Sequence, residues 1–195
     1  MKRSVLLIAL FTYLISIPVL LSAQEKEATL EKVVVTATRV ETPIEEIASS
    51  VTVISSEEMR KKQKPTVLEV LRATHALDVV QTGGVGKTTS ISIRGANSEH
   101  TLVMIDGVEV NDPISVGRSY DFAHLTVDNI ERIEILRGPQ STLYGSDAIG
   151  GVINIITKKG EEKPKFFLSA EGGSFTTFRE TAGLTGGNKW INYSL

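Results

Sequence analysis

Gly83-Gly84-Val85-Gly86-Lys87-Thr88-Thr89 is the stretch whose residue types most invite chemistry. Glycines that free backbone amides, followed by a lysine and a hydroxyl, make a phosphate-binding loop when a helix begins at the Lys-Thr. Two features oppose that reading. The motif needs a glycine where Gln81 stands. Thr88 to Arg94 then alternates polar and apolar, with Ile91 and Ile93 set between Ser90, Ser92 and Arg94, which is strand periodicity. The stretch reads as a glycine-rich tip between two strands, open to ligand contact. A P-loop NTPase is the alternative.

Other catalytic constellations are weaker. His75, His100 and His124 are spread along the chain without ligand-like companions. Asp106 and Asp112 could be imagined as paired carboxylates. Asp106 is better explained by the turn chemistry of Asp106-Gly107, and Asn111-Asp112-Pro113 by a loop. No serine lies in a G-x-S-x-G elbow. With no cysteine there is no thiolate nucleophile, zinc-thiolate site or disulfide framework. The expectation is a protein that is not an enzyme, with no cofactor and no metal.

The elements that would position these residues are short. Val33-Val34-Val35-Thr36 and Val51-Thr52-Val53-Ile54 are β-branched runs, and Pro43 closes the first region. Ser55 with Glu58, and Thr66 with Glu69, have capping-box spacing, so helices are expected from each, the first to about Lys62. Val67, Leu68 and Leu71 give the second an apolar stripe. Strands follow at Leu77–Val80, Ile91–Ile93, Leu102–Ile105, Val108–Val110, Ile133–Leu136 and Val152–Ile156. Asp106-Gly107 between two apolar runs predicts a hairpin. Helical turns are expected at Asp128–Ile130 and Pro139–Tyr144. Residues 50–159 are thus an α+β domain, a short mixed sheet with short helices.

Composition bounds the partners. The 195 residues carry 21 Lys plus Arg against 23 Asp plus Glu, a formal charge of −2, so no nucleic-acid partner is expected. Hydrophobic residues at 41% fit a globular domain. Met1-Lys2-Arg3, an apolar run from Ser4 to Leu21 broken near its end by Pro18, and Ser22-Ala23 before charge make a signal peptide of residues 1–23. A retained membrane anchor is the alternative. Residues 24–32 are a polar leader.

Longer motifs carry a resemblance. Residues 31–37, EKVVVTA, resemble the energy-coupling box of TonB-dependent outer-membrane receptors. ISIRG at 91–95, HTLVMIDGVEVN at 100–111 and ERIEILRGPQSTLYGSDAIGGVINIITKK at 131–159 resemble that family's plug domain. Within the family, QTGGVGKTTSISIRGANSEHTLVMIDGV at 81–108 and YGSDAIGGVINIIT at 144–157 look most like cobalamin receptors. Ferric-siderophore receptors share much of this pattern.

The resemblance implies roles. Glu31, Lys32, Val33, Val34, Val35, Thr36 and Ala37 would couple to TonB and its inner-membrane motor proteins. An exposed β-prone segment can add as a strand to a partner's open sheet edge. The alternative is that Val33–Val35 sits in the domain's own sheet. Arg94 and Arg137 match plug arginines that face carboxylates on the barrel wall. The alternative is pairing inside the plug, for instance with Glu131 or Glu134, since a buried guanidinium must be paired. Ligand contact would come from two apical loops: Gly84, Val85, Gly86, Lys87 and Thr88, and then Asn111, Asp112, Pro113, Ser115 and Arg118. The ligand would be cobalamin or a ferric siderophore.

The C-terminal stretch alternates like transmembrane strands. Phe166, Leu168 and Ala170 alternate with Phe167, Ser169 and Glu171, and Phe178 to Thr185 repeats the pattern with Glu180 on the otherwise apolar face. Gly172-Gly173 and Gly186-Gly187 are read as the turns. Large plugged barrels have about 22 strands, so a bare minimum of roughly 200 further residues would be needed at about ten per strand. The expected organisation is signal peptide 1–23, periplasmic leader with coupling box 24–42, plug 43–160, and the incomplete start of an antiparallel transmembrane β-barrel at 161–195. The whole would lie in the cell outer membrane. A soluble periplasmic binding module, or a non-functional truncated plug, is the rival reading.

Overall fold

The structure is a computed structural model that describes residues 34–36, 42–43, 49–115, 117–160, 163–174, 176–188 and 190–194. The signal peptide, the polar leader and coupling-box residues Glu31, Lys32, Val33 and Ala37 lie outside the described residues.

Strand β1 (Val34–Val35) pairs antiparallel with β2 (Thr42–Pro43) in a small ladder of its own. Strand β3 (Ser50–Ser55) leads into helix α1 (Ser56–Lys61), where the Ser55 hydroxyl accepts from the Glu58 N–H at 3.3 Å. Helix α2 (Val67–Arg72) starts the same way, with Thr66 Oγ1 accepting from the Glu69 N–H at 3.4 Å. Each cap satisfies an amide that a helix start leaves without a partner. Val67, Leu68, Val70 and Leu71 are buried, so α2 packs by an apolar stripe.

Hairpin β4 (Leu77–Gln81) and β5 (Thr89–Ile93) follows, then a 3₁₀ turn at Ser98–His100. Strand β6 (Thr101–Ile105) turns at Asp106-Gly107 into β7 (Val108–Glu109). Both turn residues are left-handed, at φ 50° and 81°, the geometry that matches the twist of a two-residue hairpin. The Asp106 carboxylate also accepts from the Thr157 N–H at 2.9 Å and its hydroxyl at 2.6 Å. It ties the turn to the sheet and is no partner of Asp112, whose Oδ1 accepts from the Ile114 N–H at 2.9 Å.

Strand β8 (Ile130–Arg137), helix α3 (Ser141–Tyr144), a 3₁₀ turn (Gly145–Ala148) and β9 (Gly151–Thr157) complete the domain. The helical turn expected at Asp128–Ile130 is instead a hydrogen-bonded turn closed by Ile130 N–H to Val127 C=O, and Ile130 already belongs to β8.

The main sheet has the order β3-β8-β9-β6-β7, with β6 and β9 parallel and the other pairs antiparallel. Its two central strands are buried almost throughout, as strands covered on both faces must be. On one face Ile133, Ile135, Ile153, Ile155 and Val103 pack with Met59, Val67, Val70, Leu71, Ile91, Ile93 and Phe122. On the other, Leu102, Met104, Leu136 and Val152 pack with Ala148, Val51, Val53 and Tyr144. Gly151 is where β9 begins, and no side chain fits there. Its φ is 149°, and an added Cβ would lie 2.2 Å from the Leu136 carbonyl oxygen.

Three further strands continue the chain: β10 (Lys165–Gly173), β11 (Thr177–Gly187) and β12 (Asn192–Ser194), all antiparallel. The glycine pairs are not the turns. Gly172 and Gly173 pair with Phe178 and Thr177, and Gly186 and Gly187 with Tyr193 and Asn192. The turns fall just beyond each pair, and at Gly186 the missing side chain allows close approach, since a Cβ there would collide with the Tyr193 hydroxyl. Register puts Phe166 opposite Leu184, Leu168 opposite Ala182, Ala170 opposite Glu180 and Gly172 opposite Phe178. This is one continuous, largely apolar and exposed face. The other face places Glu171 opposite Arg179, and Arg179 donates to Asp128 at 2.5 Å. Among the described residues no helix is long and apolar enough to cross a membrane.

Asp121 fastens the β4–β5 hairpin to the loop that precedes β8. Its Oδ1 accepts from the Thr89 N–H (2.9 Å), the Thr89 hydroxyl (2.8 Å) and the Ala123 N–H (3.1 Å). The Thr89 oxygen in turn accepts from the Phe122 N–H at 2.8 Å. Burial pushes the Asp121 carboxyl up, but the Thr89 and Ala123 hydrogen bonds and the nearby His124 outweigh it, and the net direction is down from 3.8. A carboxylate with a depressed folded pKa contributes stability above its unfolded pKa and loses it as pH falls through the folded value.

Two outcomes follow. Amide exchange at Thr89 and Phe122 should stay slow above pH 3.8 and lose protection below it, and Asp121→Asn should flatten that dependence. Gly151→Ala should destabilise the sheet by about 2 kcal/mol or more, since strain and overpacking act together. Hydrogen exchange would read this as at least a roughly 30-fold loss of protection along β8 and β9.

Candidate functional site

Thr36, at the end of β1, is docked on the main sheet. Its N–H donates to Glu134 Oε2 at 2.8 Å, and its hydroxyl lies 3.1 and 3.3 Å from the two carboxylate oxygens. Asn154 Nδ2 donates to the same hydroxyl at 3.1 Å. Glu134 has no exposed surface and sits mid-strand in β8, directly across from Asn154 of β9. Arg132 Nε reaches the carboxylate at 2.9 Å and Arg132 Nη1 reaches Glu131 at 2.7 Å. A cleft of about 410 Å³ opens beside this cluster, lined by Thr36, Leu102, Met104, Gly107, Glu109 and Tyr144.

Those contacts decide between the pairings open from sequence. Glu131 and Glu134 serve Arg132, not Arg94 or Arg137. Arg137 is 7% exposed and donates to the Thr52 hydroxyl at 2.7 Å and the His75 carbonyl at 3.0 Å. Burial, and then the charge of Arg94, push its pKa down. Arg94 is exposed and left-handed, at φ 54°, with its N–H on the Ala76 carbonyl at 3.0 Å. Among the described residues neither guanidinium has a carboxylate within salt-bridge distance. Two like charges converge at one end of the sheet, where, among the described residues, the acceptors that meet Arg137 are neutral.

The loop tip from Gly84 to Thr88 is exposed, with Val85 98% accessible. Lys87 N–H closes a turn on the Gly84 carbonyl at 3.1 Å, and Gln81 Nε2 donates to that carbonyl at 2.7 Å. Strand β5 begins at Thr89, so no helix N-terminus faces the glycines and the phosphate-loop geometry is not formed.

The second loop divides. Asp112, Pro113 and Ile114 are exposed. Asn111 is buried instead, with its side chain accepting from the Val103 N–H (2.7 Å) and donating to the carbonyls of Thr101 (3.1 Å) and Arg118 (2.9 Å). It anchors the loop and presents nothing outward. Arg118 is held by Asp147 at 3.0 Å and Glu109 at 3.6 Å. Ser115 bonds to the Asp112 carbonyl at 3.3 Å. The histidines stand apart: His75 lends its carbonyl to Arg137, His100 lies 3.7 Å from Glu99, and a Cβ on Gly86 would be 3.7 Å from His124. Among the described residues no group of three metal-ligating side chains is gathered.

Sequence reasoning did not single out Glu134 and Asn154 as a docking pair, nor Asp121 and Asn111 as fasteners. The available signal was a lone Glu in the apolar run IEIL and a lone Asn in VINII. Isolated polar residues in fully buried strands need partners, and here the partner comes from a distant segment.

The comparisons with known proteins agree with this geometry. Residues 43–152 match the family model of the TonB-dependent receptor plug domain. The chain is 42% identical over 174 residues to the vitamin B12 transporter BtuB of Vibrio vulnificus, a stretch covering 89% of this chain and 28% of that protein. Among solved structures it is similar to the ferric yersiniabactin uptake receptor FyuA from Yersinia pestis, with a TM-score of 0.57, 26% identity, and coverage of 73% of this chain and 22% of that one. It is similar also to the siderophore receptor PirA from Pseudomonas aeruginosa, with a TM-score of 0.54, 30% identity, and coverage of 74% and 26%. The chain thus spans about a quarter of the length of the relatives it matches. A mixed plug-like sheet, antiparallel strands following it directly, and a family match over more than half the sequence lead to one assignment: the chain belongs to the TonB-dependent receptor family and carries its plug domain.

Proposed function

We propose that this chain is the N-terminal portion of an outer-membrane receptor that imports a scarce, bulky ligand using energy delivered by TonB. The observation that carries this reading is continuity. The plug sheet runs on into strands with a lipid-type apolar face, and plug residue Asp128 is ion-paired to Arg179 of the second of them. Open strand edges cannot remain in lipid, so these strands require the rest of a closed barrel.

The roles follow from the site. Residues 31–37 are the coupling segment, which is offered to TonB as an added strand. Arg94 and Arg137 are the plug's contacts to the barrel wall. A half-paired guanidinium with a like charge beside it calls for an acidic neighbour, and a barrel carboxylate would supply one. The exposed parts of the two loops, Gly84 to Thr88 and Asp112 to Ser115, touch ligand, while Asn111 and Arg118 hold the second loop in shape. The transport step needs no covalent catalysis. Cobalamin is the first candidate ligand, supported by the identity to a vitamin B12 transporter. A ferric siderophore is the second, supported by the structural likeness to siderophore receptors.

The deciding experiment removes residues 31–37 from the full-length receptor and measures labelled cobalamin, then ferric siderophores, in whole cells. Uptake should fall to background while surface binding keeps its Kd. Uptake retained without the segment refutes the coupling assignment.

A further inference from the structure

We infer that His124 is a ligand contact, which works with the Gly84–Thr88 tip to hold the carboxamide rim of the imported molecule. This rests on the reading of that tip as ligand-contacting and of cobalamin as the ligand. The tip alone is chemically poor. Gly84, Val85 and Gly86 offer no polar side-chain atom. Lys87 lays its stem against Gly83, where an added Cβ would meet Lys87 Cγ at 3.0 Å. What stands beside the tip is an imidazole. Among the described residues, His124 Cε1 is the atom that a Cβ built on left-handed Gly86 would meet within 4 Å, at 3.7 Å.

The ring is presented by a segment that is itself held down. Phe122 is 1% exposed and meets Tyr120 edge to face at 4.8 Å. The Leu125 carbonyl accepts from the Val67 N–H of α2 at 3.0 Å. His124 lies between these two anchors, and its own side chain is exposed. Asp121 ties ring and tip together, because its carboxylate accepts from the Ala123 N–H and from Thr89, the residue that follows the tip. Among the described residues the His124 ring makes no hydrogen bond, and the charge that bears on it is that of Asp121. A neutral imidazole has one N–H donor and one acceptor nitrogen. The corrin rim of cobalamin is fringed with primary carboxamides, which offer donors and acceptors side by side and can satisfy both nitrogens. The iron-binding oxygens of a siderophore are acceptors and would use only half of the ring.

The chain has no cysteine, so single thiols placed at positions 85 and 124 report what a ligand covers. Alkylation of Val85→Cys and of His124→Cys by a maleimide is timed in the full-length receptor, in outer-membrane vesicles, with and without saturating cyanocobalamin. The wild-type receptor gives the background. Both rates should fall roughly fivefold or more, because a bound ligand buries most of the surface it meets. Protection at Val85→Cys without protection at His124→Cys overturns the inference and leaves the tip reading standing. Protection at His124→Cys alone keeps the imidazole contact and removes the tip. Protection at neither removes both.

Affinity separates a bonding role from mere nearness. His124→Ala should weaken cyanocobalamin binding roughly tenfold, in line with the loss of one or two hydrogen bonds. His124→Gln, which keeps a donor and an acceptor, should recover most of that loss. The Thr89 and Phe122 amides should stay protected from exchange in both variants, which excludes misfolding as the cause. An unchanged Kd in His124→Ala overturns the inference.

Discussion

A carboxylate with no exposed surface, in the middle of a strand covered on both sides, constrains the rest of this domain. Burying an ion without partners costs several kcal/mol, so Glu134 must recruit donors. Its own strand gives Arg132, which also engages Glu131. The adjacent strand gives Asn154, whose amide is directed at Thr36. Thr36 of the N-terminal arm adds its backbone N–H and hydroxyl. The five-stranded sheet thus has an apolar face closed by helices and the β4–β5 hairpin, and a second face whose polar row is closed by a segment that is not part of the sheet.

Local chemistry was legible where one residue type answers one backbone need. The two capping boxes, the Asp-Gly hairpin and the apolar runs of β6, β8 and β9 could all be read from the chain, because each is a short-range preference. The sheet order was not. That β6 lies parallel to β9, across an intervening hairpin and helix, follows from how two buried faces are closed and not from any local pattern. Asn111 was read as part of an exposed loop from its neighbours Asp112 and Pro113. Its amide instead closes the loop from inside, which composition cannot reveal. The paired glycines at 172–173 and 186–187 looked like turns, but both pairs lie in the ladder, and at 186–187 close approach uses their lack of a side chain.

The arginines show how electrostatics divides one end of the plug from its middle. Arg132 is compensated by two carboxylates and belongs to the plug's interior economy. Arg137 is more deeply buried but meets a hydroxyl and a carbonyl, with Arg94 close enough to disfavour its charge. Neutral acceptors make part of the hydrogen bonding but none of the countercharge. A domain that left this arrangement facing only itself would carry a needless destabilisation. On the proposed reading, carboxylates on a surrounding wall would supply the missing countercharge and seat the plug through these two cations.

The strands after the plug impose the complementary condition. Their exposed face carries Phe166, Leu168, Phe178 and Leu184, an apolar area that water disfavours. Their other face carries the Glu171–Arg179 cross-strand pair, and Arg179 reaches Asp128 of the plug. A strand with lipid on one side and charge on the other is stable only if the charged side meets a filled interior. The plug fills it. The same ion pair that joins plug and strand therefore links two requirements, that the barrel enclose something polar and that the plug be enclosed.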